Sequence, residues 1–93
     1  NSTEGGLLME LVINEYISRE LVSQPELLPL KNDTSLLESG ILDSLSVLKL
    51  VLFLERQFGV VVAAEDLMPE NFETVEAICV YLRAQQQVQG VEA

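Results

Sequence analysis

The hydrophobic positions of the first third of the chain follow helical spacing. The segment 7–22 (LLMELVINEYISRELV) repeats apolar side chains at close to 3.6 residues, with charged side chains on the remaining positions. The predicted apolar stripe consists of Leu8, Leu11, Val12, Ile17 and Leu21. We expect this helix to end at Ser23 and Pro25, because proline disfavours α geometry in the residue before it.

A long connection, 24–42, separates this helix from the next one. It mixes helix-breaking prolines, asparagine and glycine with many leucines and isoleucines. So many apolar residues predict that the connection packs across a core, with one short turn at 34–38. Long loops in small domains are often functional.

The second predicted helix, 44–58, is apolar on almost every face. Asp43 and Ser44 are N-cap residue types, and Gly59 is expected to end the helix. A helical wheel divides the apolar residues into one stripe of Val47, Leu50, Val51, Leu54 and Phe58 and a rotated stripe of Leu45, Leu48 and Leu52. A small bundle buries roughly half of a helix surface, so we expect the second stripe to stay exposed for a partner. The alternative is a central helix covered by its neighbours and by the long connection.

The C-terminal third predicts short turns followed by a last helix. The valines at 60–62 favour a strand, but no second strand is available to pair with them. Short helical turns are expected at 64–68 and 70–72. Thr74 is expected to cap a helix over 75–87. Its buried stripe is predicted to contain Val75, Ile78, Cys79 and Leu82.

These elements predict an all-α fold, a small bundle of three main helices plus one short helix, with a long first loop. At 93 residues the chain has room for one domain. We expect that domain at 7–87, between flexible tails at 1–6 and 88–93. A monomer is the expected state.

Composition narrows the function. Fifteen acidic residues against five basic ones give a formal net charge of −10. This charge disfavours nucleic acid and favours basic partners or simply solubility. No apolar stretch reaches the roughly 18–20 residues that span a bilayer. With no histidine, the chain cannot form a Ser-His-Asp or Cys-His nucleophile, so an enzyme is not expected.

No metal site is expected either. The single cysteine, Cys79, has no histidine or second cysteine with which to bind zinc. The segment 32–40 (NDTSLLESG) lacks the alternating acids and terminal glutamate of an EF-hand loop. Cys79 lies among apolar residues, which predicts a buried thiol and suits a reducing, cytoplasmic setting.

The segment 36–60 (LLESGILDSLSVLKLVLFLERQFGV) resembles the modification-site region of acyl, peptidyl and aminoacyl carrier proteins. The shared features are a glycine, a short apolar gap, Asp-Ser-Leu, and a helix rich in leucine and valine that ends in Glu-x-x-Phe. The segments 32–40 and 70–82 resemble the loop before the site and the last helix of the same family. The resemblance runs from about 7 to 82.

The resemblance implies a carrier-type four-helix bundle that is modified and loaded by other enzymes. A phosphopantetheinyl transferase would attach 4′-phosphopantetheine to Ser44. Asp43 would cap the helix or lie near the metal of the transferase, and Leu45 would pack at the docking site. Leu48 and Leu52 would face partners, beside the exposed Lys49 and Arg56. Those partners would be a loading ligase or adenylation enzyme and downstream enzymes that transfer acyl or aminoacyl groups.

The second helix departs from the fatty-acid carriers, which are acidic along it. Here Lys49 and Arg56 are basic, and Glu55 is the one carboxylate after Asp43. We therefore expect a discrete carrier of specialised, secondary metabolism. The alternatives are a stand-alone fatty-acid or polyketide acyl carrier and, in a different class, an unmodified helical adaptor that grips a partner helix.

Overall fold

The structure is a computed structural model that describes the backbone of residues 2–90 and the side chains of residues 8–90. Over this range all regular structure is helical. The helices are α1 (Ser2–Tyr16), α2 (Ser44–Phe58), α3 (Pro69–Phe72) and α4 (Val75–Gln89), and single 3₁₀ turns occupy Pro25–Leu27 and Ala64–Asp66. The predicted all-α bundle of three main helices and one short helix is confirmed.

The buried face of α1 differs from the predicted stripe. Met9, Ile13 and Ile17 are buried, at successive intervals of four residues. Leu8 and Leu11 are instead 63% and 66% exposed, so their place on a buried stripe was wrong. Leu11 precedes Ile13 by two residues, which turns it about 200° around the helix axis, almost opposite the buried side. The spacing among the apolar residues of α1 was compatible with more than one face.

The ends of the long helices extend past their predicted bounds. The backbone is helical from Ser2, so the predicted tail 1–6 overlaps α1, and Asn1 lies outside the described residues. After Tyr16 the helix continues as a π turn, Ile17–Leu21, closed by the Val22 N–H donating to the Ile17 carbonyl at 2.9 Å. At the other end α4 runs to Gln89 and ends at Gly90 in the left-handed conformation. The rest of the predicted tail 88–93, residues 91–93, is outside the described range.

The long connection between α1 and α2 packs across the core, as predicted. Four of its apolar side chains are buried: Leu30, Leu36, Ile41 and Leu42. The Leu36 N–H donates to the Glu73 carbonyl at 2.7 Å, and the Glu76 N–H donates to the Asn32 carbonyl at 3.1 Å. These bonds fix the connection to the junction of α3 and α4. The start of α2 is therefore held by tertiary contacts and not only by its own cap.

The core combines one side of α2 with the inner side of α4, the buried side of α1 and the buried residues of the connection. Leu50, Val51 and Leu54 are buried on α2. The stripe predicted for α4 is buried throughout, and the Thr74 hydroxyl oxygen accepts from the Ala77 N–H at 3.0 Å as the predicted cap. Each fully buried side chain of this kind contributes about 1.5–3 kcal/mol relative to an exposed one. Burial therefore sets the rotation of α2.

The segment between α2 and α3 is tied down at three points. The Glu55 carboxylate, at the end of α2, accepts from the Val62 N–H at 2.9 Å. The Gln89 side-chain amide pairs with both backbone groups of Val61, at 2.9 and 3.0 Å. The Tyr81 hydroxyl donates to the Asp66 carboxylate at 2.8 Å, and burial, helped by this bond, raises the pKa of Tyr81. The backbones of Val61 and Val62 thus gain hydrogen-bond partners without forming a strand.

Replacing Leu54 with aspartate should unfold the domain, whereas the same change at Leu52 should not. Leu54 is 0% exposed and Leu52 is 62% exposed on the same helix. An unpaired buried charge costs about 3–5 kcal/mol against a total stability of about 5–15 kcal/mol. Thermal unfolding by circular dichroism should show no cooperative transition for Leu54→Asp and a near-wild-type Tm for Leu52→Asp. Cooperative melting of Leu54→Asp would refute this orientation of α2.

Candidate functional site

The start of α2 is fixed by the side chain of Asp43. Its backbone is extended, and one carboxylate oxygen accepts from the N–H groups of Leu45 at 3.0 Å and Ser46 at 2.8 Å. These are donors that an uncapped helix would leave without partners. The hydrogen bond from the Ser46 backbone, followed by that from the Ser46 side chain, lowers the pKa of Asp43. The predicted cap is therefore present as a carboxylate at neutral pH.

Ser44 is the first residue of α2, and it is exposed to solvent. The Asp43 cap fixes the backbone of this first turn, so the Ser44 hydroxyl projects from a defined position at the N-terminus of the helix. Helix N-termini favour negative charge, by about 0.3–1 kcal/mol at exposed sites. A phosphodiester joined to Ser44 would thus be placed at the positive end of α2 and in open solvent.

The five residues predicted to bind partners share one face of α2. Leu45, Leu48 and Leu52 are 63%, 53% and 62% exposed, and Lys49 and Arg56 are exposed beside them. The prediction that this stripe remains outside the core is confirmed. We refer to these five residues as the α2 face. It begins one residue after Ser44 and continues to the last turn of the helix.

An aromatic pair that was not predicted joins α1 to α2 along the border of this face. The rings of Tyr16 and Phe53 stack with their centroids 4.0 Å apart and their planes 11° apart. The Tyr16 hydroxyl also donates to the Lys49 carbonyl at 3.4 Å. The pair lines a groove of about 470 Å³ between the two helices. The one sequence signal for it was the wheel position of Phe53, between the two apolar stripes of α2.

Other candidate chemistry is limited in the part of the chain that the structure describes. No group of three or more acidic or cysteine side chains is placed there to hold a metal ion. None of its helices is both long and apolar enough to pass through a lipid bilayer. Cys79 is 5% exposed as predicted, and burial raises the pKa of its thiol to about 12. This thiol is therefore neutral and unreactive at physiological pH.

The Asp43 cap predicts a specific pH dependence. A lowered pKa means that the stabilisation is present above the ordinary value of 3.8 and is lost as the pH falls through the lowered pKa. At neutral pH, Asp43→Ala should lower Tm, and Asp43→Asn, which keeps an acceptor oxygen but lacks the charge, should fall between Asp43→Ala and wild type. In melting curves, the gap between wild type and Asp43→Ala should narrow in acid, while the gap between the two variants stays constant. An acid-insensitive gap would contradict the capping role of the carboxylate.

Comparison with known proteins places this geometry in a family. The family profile described as "Phosphopantetheine attachment site" matches residues 15–82. A chain from the solved structure described as "Crystal structure of FAD-dependent dehydrogenase" is similar to this one, with 32% sequence identity and a TM-score of 0.68. The alignment covers 75% of this chain and 97% of that chain. A search of curated proteins found no match.

The matched region includes the whole of α2, its cap and the long connection before it. Members of the matched family attach 4′-phosphopantetheine covalently to a serine. An exposed serine at a capped helix start, with space for an anionic group, fits that chemistry. The chain belongs to the family of phosphopantetheine-binding carrier proteins.

Proposed function

We propose that Ser44 is the attachment residue and that the chain carries an acyl or aminoacyl group as a thioester for enzymes of specialised metabolism. The observation that carries this proposal is the exposed hydroxyl of Ser44 on the first turn of α2, beside the Asp43 cap. The chain itself is not the catalyst. It is modified, loaded and unloaded by other enzymes, in a cytoplasmic setting that suits the unpaired Cys79.

The modification is a phosphoryl transfer from coenzyme A, performed by a separate transferase and its Mg²⁺. One bond forms, between Ser44 Oγ and the phosphorus that bears pantetheine. One bond breaks, in the pyrophosphate of coenzyme A, and adenosine 3′,5′-bisphosphate leaves with the electron pair. The hydroxyl proton passes to a base of the transferase. When bound, the group supplies a terminal thiol on which cargo is held.

The chain's own contribution is to place the nucleophile and to present a docking surface. Asp43 holds the first turn through two backbone hydrogen bonds, so Ser44 is ordered before the transferase arrives. Leu45, 63% exposed and next to Ser44, is placed to pack against the transferase. Asp43 would in addition offer its negative charge to the metal environment of the transferase.

The rest of the α2 face would serve the same partners and the enzymes that follow. Leu48 and Leu52 offer apolar area, and Lys49 and Arg56 offer charge. The expected partners are the transferase, a loading ligase or adenylation enzyme, and downstream enzymes that move the acyl or aminoacyl group. Each would approach the carrier near the start of α2, because the arm that bears the cargo would be attached there.

Specialised metabolism is favoured by the charges along α2. Fatty-acid carriers resemble this chain but are acidic on that helix. In α2 the charged residues are Lys49, Glu55 and Arg56. Charge patterns of this kind set partner choice and association rate more than fold does. A stand-alone fatty-acid or polyketide acyl carrier is the alternative within the family.

One partner class is suggested by the similar solved chain, which comes from a structure described as an FAD-dependent dehydrogenase. We propose flavin-dependent dehydrogenases as enzymes to test on the loaded carrier, alongside group-transferring enzymes. Such an enzyme would oxidise the cargo while it stays bound as a thioester, reducing the flavin by two electrons.

Modification of Ser44 is tested by intact mass. Incubation with coenzyme A, Mg²⁺ and a promiscuous phosphopantetheinyl transferase should add one phosphopantetheine group. Ser44→Ala should abolish the gain. Ser46→Ala, which changes the next serine of the same helix turn, should retain it. A gain that persists in Ser44→Ala would move the site elsewhere, and no gain with several transferases would favour the unmodified adaptor.

Thiol titration gives an independent measure on the same samples. Cys79 is the only cysteine of the chain, and it is buried with a pKa raised to about 12. The native unmodified protein should therefore show almost no reactive thiol at neutral pH. The modified protein should show one, from the arm, and denaturation should add one to each sample.

Docking on the α2 face predicts that Leu48→Asp impairs loading without unfolding the chain. Leu48 is 53% exposed, so the new carboxylate stays in solvent while it disrupts an apolar contact. With an adenylating enzyme that loads the wild type, kcat/KM should fall about tenfold or more. Val80→Asp, which places the same charge at a 71% exposed site on α4, should load normally. Equal loading of both variants would exclude Leu48 from the docking surface.

A further inference from the structure

The charge of the α2 face is opposite to that of the domain. The whole chain has a formal net charge of −10, yet the charged members of this face are Lys49 and Arg56. The segment 60–82 is purely acidic in its charged residues. They are Glu65, Asp66, Glu70, Glu73 and Glu76. The molecule therefore presents cations and leucines together on one helix and keeps this run of acids outside it.

The one carboxylate within α2 is committed elsewhere. Glu55 is half-buried, and its carboxylate accepts from the Val62 N–H at 2.9 Å, so it is directed towards the segment after the helix. It does not neutralise its neighbour Arg56: over residues 8–90 the ion pair that forms joins Arg19 to Glu15. Within the described residues, the charges of Lys49 and Arg56 are therefore available to pair with carboxylates of a partner. This arrangement was not visible from the sequence, where Glu55 and Arg56 are adjacent.

The spacing of the two cations defines what they can contact. Lys49 and Arg56 are seven residues apart, which places them on the same side of the helix and about 10 Å apart along its axis. Leu52 lies between them, 62% exposed. A complementary surface would carry two carboxylates about two helical turns apart, on either side of an apolar depression.

We infer that the α2 face selects partner enzymes whose docking surfaces are acidic and apolar, with carboxylates opposite Lys49 and Arg56. The inference rests on the proposed function, since it concerns enzymes that act at Ser44. The net charge of −10 does not oppose it strongly. The acids outside α2 that lie nearest the face are Asp43 at the cap and Glu15 and Glu20 of the α1–α2 groove, and Glu15 is paired with Arg19. At physiological ionic strength charges farther than about 8–10 Å are screened, so the more remote acids act weakly on a contact at Lys49 and Arg56.

The test uses a phosphopantetheinyl transferase chosen for a basic docking patch, and the same enzyme with that patch changed to glutamates. The measured quantity is kcat/KM for modification at Ser44, by intact mass. The carriers are wild type, the double variant Lys49→Glu with Arg56→Glu, and a matched double variant, Lys31→Glu with Arg83→Glu. The matched double variant has the same net charge as the Lys49/Arg56 variant, and both of its positions are exposed and outside α2.

With the unaltered transferase, the Lys49/Arg56 variant should be modified about tenfold faster than wild type, and the matched variant should gain less than about twofold. A gain of activity cannot arise from unfolding. The reversed transferase should show the opposite order, with the wild type now preferred, and that preference should weaken as NaCl is raised.

Two results would overturn the inference. One is an equal gain for the two double variants, which would show that net charge matters and the α2 face does not. The other is that the transferase with the basic patch modifies the wild type faster than either double variant. If neither transferase nor a promiscuous one modifies Ser44 in any variant, the proposed function itself fails, and the inference fails with it.

Discussion

The arrangement of the molecule depends on the burial of two side chains of α2, Leu50 and Leu54. Both are 0% exposed, and together they fix the rotation of α2 about its own axis. Because the helix is apolar on most sides, other rotations could also bury apolar area, and the shared core cluster selects the one that buries Leu50 and Leu54. Once the rotation is fixed, Leu48 and Leu52 must point away from the core. The exposed face is therefore a consequence of the packing.

A second constraint sets the position of α2 along its axis. The long connection before it buries Ile41 and Leu42 immediately ahead of the Asp43 cap. Its earlier part is bonded to the α3–α4 junction through Leu36. A free loop would let the first turn fray, since helix ends are the least stable part of a helix. Ser44 is thus exposed on an ordered first turn, as its proposed role as the attachment point requires.

The sequence predicted the features that depend on local chemistry. The caps at Asp43 and Thr74 follow from residue type, and the two stripes of α2 follow from periodicity. The buried face of α1 was mispredicted, because Leu8 and Leu11 fit a helical repeat but lie outside the core in the fold. The bond between Glu55 and Val62 and the stacking of Tyr16 on Phe53 join residues whose approach is set by the fold. Such contacts carry no short-range signal in a single sequence.

The exposed leucines of α2 create a risk of self-association, and the acidic charge of the chain counteracts it. A stripe such as Leu45, Leu48 and Leu52 favours self-association when copies of the chain meet. A net charge of −10 opposes that association once two copies come within the screening distance, and it does so from residues that lie mostly outside α2. Acids placed on the helix itself would give the same repulsion but would also repel acidic partners. Locating them elsewhere would let the domain keep its copies apart while Lys49 and Arg56 stay available to the proposed acidic partners.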